Sequence, residues 1–542
     1  MKNKKRCMAL VAMVLAIGLM AGCGDPGQGG TQPTGDQASP EGAVGQSQVQ
    51  ADPSSSAQTN ANSDRTLYGA ANQVNTTFDP WGVINSYDNL GRIQVFNTLV
   101  FKNDAGEIVG SLAKDWEWSE DAMQITFNLH QGVKFHNGEE LKASDVKFSL
   151  DTARQSPTCA TYLTSIEHIE TPDDYTVIVK LNKPNVALLE VLMTFGLIVH
   201  EVSYSAAGDL AGDTLESVIG TGPYRLTEWK PTEIMVFESF DDYFEGAPSI
   251  KNLSIKTISD PNTAIIALQT GDIDIYFQSV PAISIGTLKS NDSLTVVDIT
   301  SKRLFYMGIN WEFGPFASNP KLREAVAYGV DRNALNMIAN EGLGTIVYYP
   351  GGPDYSGQPN VKNTGYQFDP DKARELVKEV GAEGLEFSIK LENSGVLPEL
   401  ATMLQSQLSA IGLNPSITIL EVNAYLQDVY SDGLYDIFIS FTTARTKDMD
   451  TVWTNLFHSA NIGQGNSGRY INPKMDAIIE NGRSETDSEK RKEIYADGVA
   501  IYDQDIPYLS LFYEYSNRAF SSVLDTDHTM AEYDCVYYYT WK

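Results

Sequence analysis

Leu253-Ser-Ile-Lys-Thr-Ile258 alternates apolar and polar residues, the period of a half-buried strand. Asp260 and Pro261 then supply a helix N-cap and a first-turn proline, Ala264 to Leu268 continue the helix, and Gly271 ends it. Ile273 to Phe277 is apolar enough for a second strand. Strand, helix and strand in so short a span predict half of an open α/β sheet. A second copy of this grammar begins at Phe387-Ser-Ile-Lys-Leu391. It continues through a helix from Pro398 to Ile411, the terminator Gly412, a strand from Ser416 to Leu420, a helix near Tyr425 to Tyr430 and an apolar strand from Tyr435 to Phe441. Two such units far apart in sequence predict two α/β lobes, with small ligands taken at the crevice between them.

Working outward, Asn319-Pro320, Asp369-Pro370 and Asn472-Pro473 each place a side-chain acceptor before a proline and announce further helices. The segment from about Gly110 to Gly212 reads differently. Trp116 and Trp118, Ile125 to Leu129 and Tyr175 to Leu181 suggest antiparallel strands around one helix near Ser144 to Ala153, and hence an inserted third domain. A chain of 542 residues is too long for a single core. The expected division is residues 65–108, 217–300 and 508–542 as a discontinuous lobe I, 109–216 as an inserted α+β domain, and 301–507 as lobe II. The folded body begins with a first strand at Arg65 to Ala70.

The N-terminus points to export. Lys2, Lys4, Lys5 and Arg6 precede an apolar run from Cys7 to Met20 that is short for a membrane span. Met20-Ala21-Gly22-Cys23 is similar to a lipobox, which makes residues 1–22 a lipoprotein signal peptide and Cys23 the lipidated residue; a plain signal peptide with an incidental cysteine is the alternative. Residues 23–64, rich in Gly, Ser, Gln, Asn and Pro, read as a disordered tether. This places the protein on the outer face of the cell membrane, the periplasmic side in a Gram-negative host. Cys159 and Cys535 remain, and pairing or two free thiols are both open.

The 70 acidic against 39 basic side chains argue against nucleic acid or an anionic membrane surface as partner. The six histidines show no zinc-ligand spacing, so no metal is expected. No nucleophile elbow is present, and Gly463-Gln-Gly465-Asn-Ser-Gly468 spells a dinucleotide fingerprint without the preceding strand that such a site needs. No cofactor and no catalytic residue are expected. A pair of facing carboxylates on a secreted hydrolase, or a surface sensor or adhesin, are the competing readings.

The runs Gly110 to Trp118, Phe127 to Gly138, Leu141 to Phe148, Gly220 to Trp229, Asn319 to Arg332 and Phe368 to Leu376 closely resemble the family 5 extracellular solute-binding proteins of ABC importers, the peptide, nickel and opine-type group. The resemblance spans nearly all of the chain after the tether. It implies a hinged, two-lobed α/β fold of the periplasmic-binding-protein type II class with an inserted domain. It also implies a monomer that captures a small solute, most readily a peptide, and hands it to a membrane permease, with ATP hydrolysis on separate subunits. Gly220, Gly222 and Pro223 are expected to hold a lobe together, and Trp116 and Phe135 to pack a core. By the same resemblance Asn85, Ser86, Tyr87 and Asp88 align with a segment that runs beside the ligand backbone in peptide-binding relatives. The opposite wall should follow the strand ending at Phe441. There the family's amine-binding aspartate has no obvious equivalent, Asp448 stands near the family's Asp-Pro position, and Arg445 is either an anion contact or a solvated loop residue. Thr442, Thr443 and Trp453 complete the candidate cleft residues.

Overall fold

The computed structural model describes residues 65–82, 88–103, 106–299, 301–352, 354–361, 365–526 and 534–542. The lipobox at Cys23, the signal peptide and the tether, and the cleft candidates Asn85, Ser86 and Tyr87, lie outside the described residues.

The first lobe is built on a seven-stranded sheet in the order Leu294–Ile299, Ser516–Ser521, Ile275–Tyr276, Thr66–Ala71, Asn252–Thr257, Ile234–Ser239 and Tyr224–Lys230. Thr66–Ala71 sits at its centre, parallel to strands on both sides. The strand, helix, strand unit closes as its residues predict. Asp260 accepts a 2.8 Å bond from the Thr263 amide, Pro261 opens the helix Pro261–Thr270, and Gly271 leaves it at φ 78°. Asn319, Asp369 and Asn472 cap their helices in the same way, each accepting from a first-turn amide.

Residues of the inserted segment form a four-stranded antiparallel sheet in the order Ala113–Trp118, Gln124–Leu129, Thr176–Leu181 and Ile166–Asp173, with the helix Ala143–Gln155 beside it. Ile125, Phe127, Val177 and Val179 from this sheet lie in one continuous apolar core with Leu67, Leu253 and Ile275 of the seven-stranded sheet. The two sheets are therefore packed as one body.

The second body carries a six-stranded sheet in the order Thr345–Ile346, Tyr508–Tyr513, Arg303–Ile309, Ile437–Thr443, Glu386–Glu392 and Asn414–Leu420. Its faces feed two cores through the period of two. Phe305, Met307, Ile437 and Ile439 point one way, while Tyr306, Phe438 and Tyr508 point the other. Gly308 is required where Phe438 crosses it, because a Cβ there would lie 2.0 Å from the Phe438 ring. Tyr508–Tyr513 corrects the expected return to lobe I at 508. All six of its residues are buried, and it pairs with Arg303–Ile309, so the chain re-enters the first lobe only at Ser516–Ser521.

Among the described residues, the chain leaves the first body after Ile299 and enters the second at Arg303, and it returns from Tyr513 to Ser516. The crossings lie side by side: the Glu514 amide donates to the Arg303 carbonyl at 2.9 Å, and the side chains of the same two residues pair at 3.3 Å. Two adjacent element-terminal segments of this kind are the geometry of a hinge.

Candidate functional site: the cleft between the bodies

The strand Ile437–Thr443 runs parallel to Glu386–Glu392, and its carboxyl end opens into a cavity of about 580 Å³. Crevices at the carboxyl ends of parallel strands are the usual ligand sites of open α/β sheets. One wall is made by Thr442, Thr443 and Arg445 of the second body, and the other by Tyr162, Lys183 and Val191 of the first. The bodies touch around it. The Val186 amide donates to the Arg483 carbonyl at 2.8 Å, and Ser356 Oγ donates to Glu190 Oε1 at 2.5 Å.

Of the residues expected to form the site, Thr442, Thr443 and Arg445 line this cavity. Asp88 and Trp453 do not. Asp88 is fully buried at the start of the helix Asp88–Val95, and its carboxylate accepts from the Thr76 amide at 2.6 Å and the Thr76 hydroxyl at 3.1 Å, so it organises its own loop. Trp453 is also fully buried; its indole N–H donates to the Pro350 carbonyl at 2.8 Å, and its ring packs edge-on against Phe457 and Tyr495. Asp448, near the family's Asp-Pro position, caps the helix Met449–Phe457 and receives a two-pronged bond from Arg491 at 2.8 and 2.7 Å.

Sequence reasoning missed the ion pair in the cavity wall and the opposite wall. Asp450 lines the cavity, and Arg483 Nε lies 3.0 and 3.2 Å from its two carboxylate oxygens. Burial pushes the Asp450 carboxyl upward, and Arg483 opposes that shift. The missed residues Lys183, Asn185 and Tyr162 follow or flank strands of the inserted sheet, where no local pattern marks a loop as facing a cleft.

A further polar contact, through Lys102, joins the bodies away from the cavity lining. Lys102 and Glu190 pair, each with a side chain no more than 3% exposed, and Lys102 also donates to the carbonyls of Asp354 at 3.3 Å and Lys447 at 3.4 Å. Burial raises the Glu190 carboxyl from 4.5 to about 7.

The glycine-proline motif is structural. His136 Nε2 lies 2.9 Å from the Gly222 carbonyl, and the Gly220 amide donates to His136 Nδ1 at 3.4 Å, which fits a neutral ring protonated on Nε2. A Cβ on Gly220 would fall 2.1 Å from the Val95 carbonyl oxygen. The Gly463 to Gly468 segment is a loop without a leading strand.

The sequence that builds these two bodies and the cleft between them matches the family model of the bacterial extracellular solute-binding proteins, family 5 middle, over residues 107–464. The chain belongs to this family. It has the type II periplasmic-binding-protein fold and is the substrate-binding component of an ABC importer, working outside the cytoplasm to capture a small solute. It is 27% identical to the glutathione-binding protein of Pectobacterium atrosepticum over 458 residues, 80% of this chain and 86% of that one. It is also 27% identical to heme-binding protein A of Haemophilus influenzae over 491 residues, 84% and 88% of the two chains. The solved structure of HbpA2 from Haemophilus parasuis superposes with a TM-score of 0.81 at 25% identity, covering 88% of this chain and all of that one.

Proposed function

We propose that this family 5 member is a monomeric lipoprotein, acylated at Cys23 and tethered by residues 23–64, that binds a peptide or peptide-like solute between its two bodies. It presents the loaded, closed form to a membrane permease and through it to the ATPase subunits, and it performs no covalent chemistry. The observation that carries this reading is the cavity of about 580 Å³, walled by both bodies and floored by the end of the strand Ile437–Thr443. That volume is in the range of small-molecule sites, and a ligand touching both walls stabilises the closed state over the open one. The name of the glutathione-binding relative supports a peptide-like ligand, while that of the heme-binding relative shows how far ligands diverge on one scaffold.

The test is a thermal-shift screen of the full chain in detergent against peptides, N-acetylated peptides, oligosaccharides, heme and nickel chelates. A dose-dependent rise in midpoint with peptides alone supports the reading. A rise with another class only replaces the ligand, and turnover of any of these solutes refutes the non-catalytic assignment. Mass spectrometry of membrane-extracted protein tests acylation at Cys23.

A further inference from the structure

The described residues lining the cavity include Lys183, Lys302, Arg445 and Arg483 against a single carboxylate, Asp450. Arg483 is spent on Asp450 and Lys302 has a partner of its own, so the charges offered to a ligand are those of Lys183 and Arg445. Asp450 is 6% exposed and held by Arg483 through both oxygens, so it offers a ligand amine no unspent negative charge. This is the opposite of what composition predicts. In a chain with 70 acidic and 39 basic side chains, an arbitrary stretch of wall would be acidic.

The cations also come from both sides. Lys183 follows the strand Thr176–Leu181 of the first body, whereas Arg445 follows the strand Ile437–Thr443 of the second. Both side chains belong to residues that remain exposed. Bringing the bodies together therefore gathers like charges around one cavity while water leaves it, and their repulsion grows as the local dielectric falls. A neutral ligand leaves that repulsion uncompensated. An acidic ligand converts it into attraction on both walls, through a forked contact to the Arg445 guanidinium and a point contact to the Lys183 ammonium.

The geometry points to a multiply acidic peptide or peptide-like solute, carrying at least two carboxylates and needing no free α-amine, with Lys183 and Arg445 as its specificity-determining residues. This assignment rests on the peptide-like reading above and narrows it.

Calorimetric titration of the full chain in detergent with Glu-Ala-Glu, Ala-Ala-Ala and Lys-Ala-Lys, each free and N-acetylated, tests it. The acidic peptide should bind at least about tenfold more tightly than the neutral one, as expected for one additional charge-assisted contact, and acetylation should change its affinity by less than about threefold. Lys183→Gln and Arg445→Gln alter exposed side chains. Each should weaken the acidic peptide by about tenfold and so cut its preference over Ala-Ala-Ala by at least that factor, with an unchanged melting midpoint. Equal or tighter binding of the neutral or basic peptide, or indifference of the acidic peptide to both substitutions, overturns the inference and leaves the importer reading standing. Silence with every peptide, together with no midpoint shift in the solute screen, overturns both.

Discussion

Ser356 Oγ donates a 2.5 Å hydrogen bond to Glu190 Oε1, and that bond crosses from the second body to the first. Glu190 also faces Lys102, yet burial outweighs the ammonium and lifts its carboxyl from 4.5 to about 7. The folded protein therefore holds this proton more tightly than the unfolded chain. Its contribution to stability is full below 4.5 and is lost as pH rises through about 7.

Glu190→Gln keeps an acceptor for Ser356 and cannot titrate. The difference in unfolding free energy, variant minus wild type, should rise between pH 4.5 and 8 by up to about 3 kcal/mol. Urea denaturation at several pH values measures it. A difference that falls as pH rises would show that the Lys102 pair dominates instead.

His136 has the opposite sign. Burial lowers its ring from 6.5 to about 4, so the fold favours the neutral imidazole that bridges Gly220 and Gly222. Stability from this group is present above 6.5 and lost as pH falls through about 4, by up to about 3 kcal/mol. His136→Gln should flatten the acid limb of the stability curve relative to wild type. Gly220→Ala should destabilise by about 1–3 kcal/mol at neutral pH, because its Cβ would displace the Val95 carbonyl.

Asp448→Ala should cost about 3–5 kcal/mol, since it strands the buried Arg491 guanidinium. Trp453→Ala should cost a similar amount, about 3–5 kcal/mol, through the cavity left in the second body's aromatic core. If either residue touched ligand, affinity would fall at temperatures where the variant remains folded. The structure predicts unchanged affinity for both, measured by titration well below the midpoint.

Cys159 is buried and Cys535 partly so, and both are free. Reductant should leave the melting midpoint unchanged, and alkylation after denaturation without reductant should label both. A reductant-dependent drop of several degrees would reveal a disulfide.

Much of the fold is legible in local chemistry. Asp260, Asn319, Asp369 and Asn472 cap the helices their sequences announce, because capping is a contact within four residues and needs no distant partner. The alternation in Phe387 to Leu391 likewise encodes a strand with one face in a core. The site is less legible. Thr442 and Thr443 end a strand, Arg445 follows it, and all three reach the cavity, whereas Asp448 and Trp453, a few residues on, turn into the interior.

The caps, the strand periods, the two α/β units and the family motifs were readable along the chain, because all of them depend on neighbours in sequence or on residue types that recur in order. Tertiary structure alone decided that Tyr508–Tyr513 joins the second sheet, that Asp448 belongs to Arg491, 43 residues away, and that Lys183 faces Arg445's cavity from the opposite body. An apolar strand suits any sheet, and a charge suits water, a partner or a ligand equally well. Which one it meets is settled only when every core is filled at once, because burial and ion pairing are energies of the whole packing rather than of the local segment.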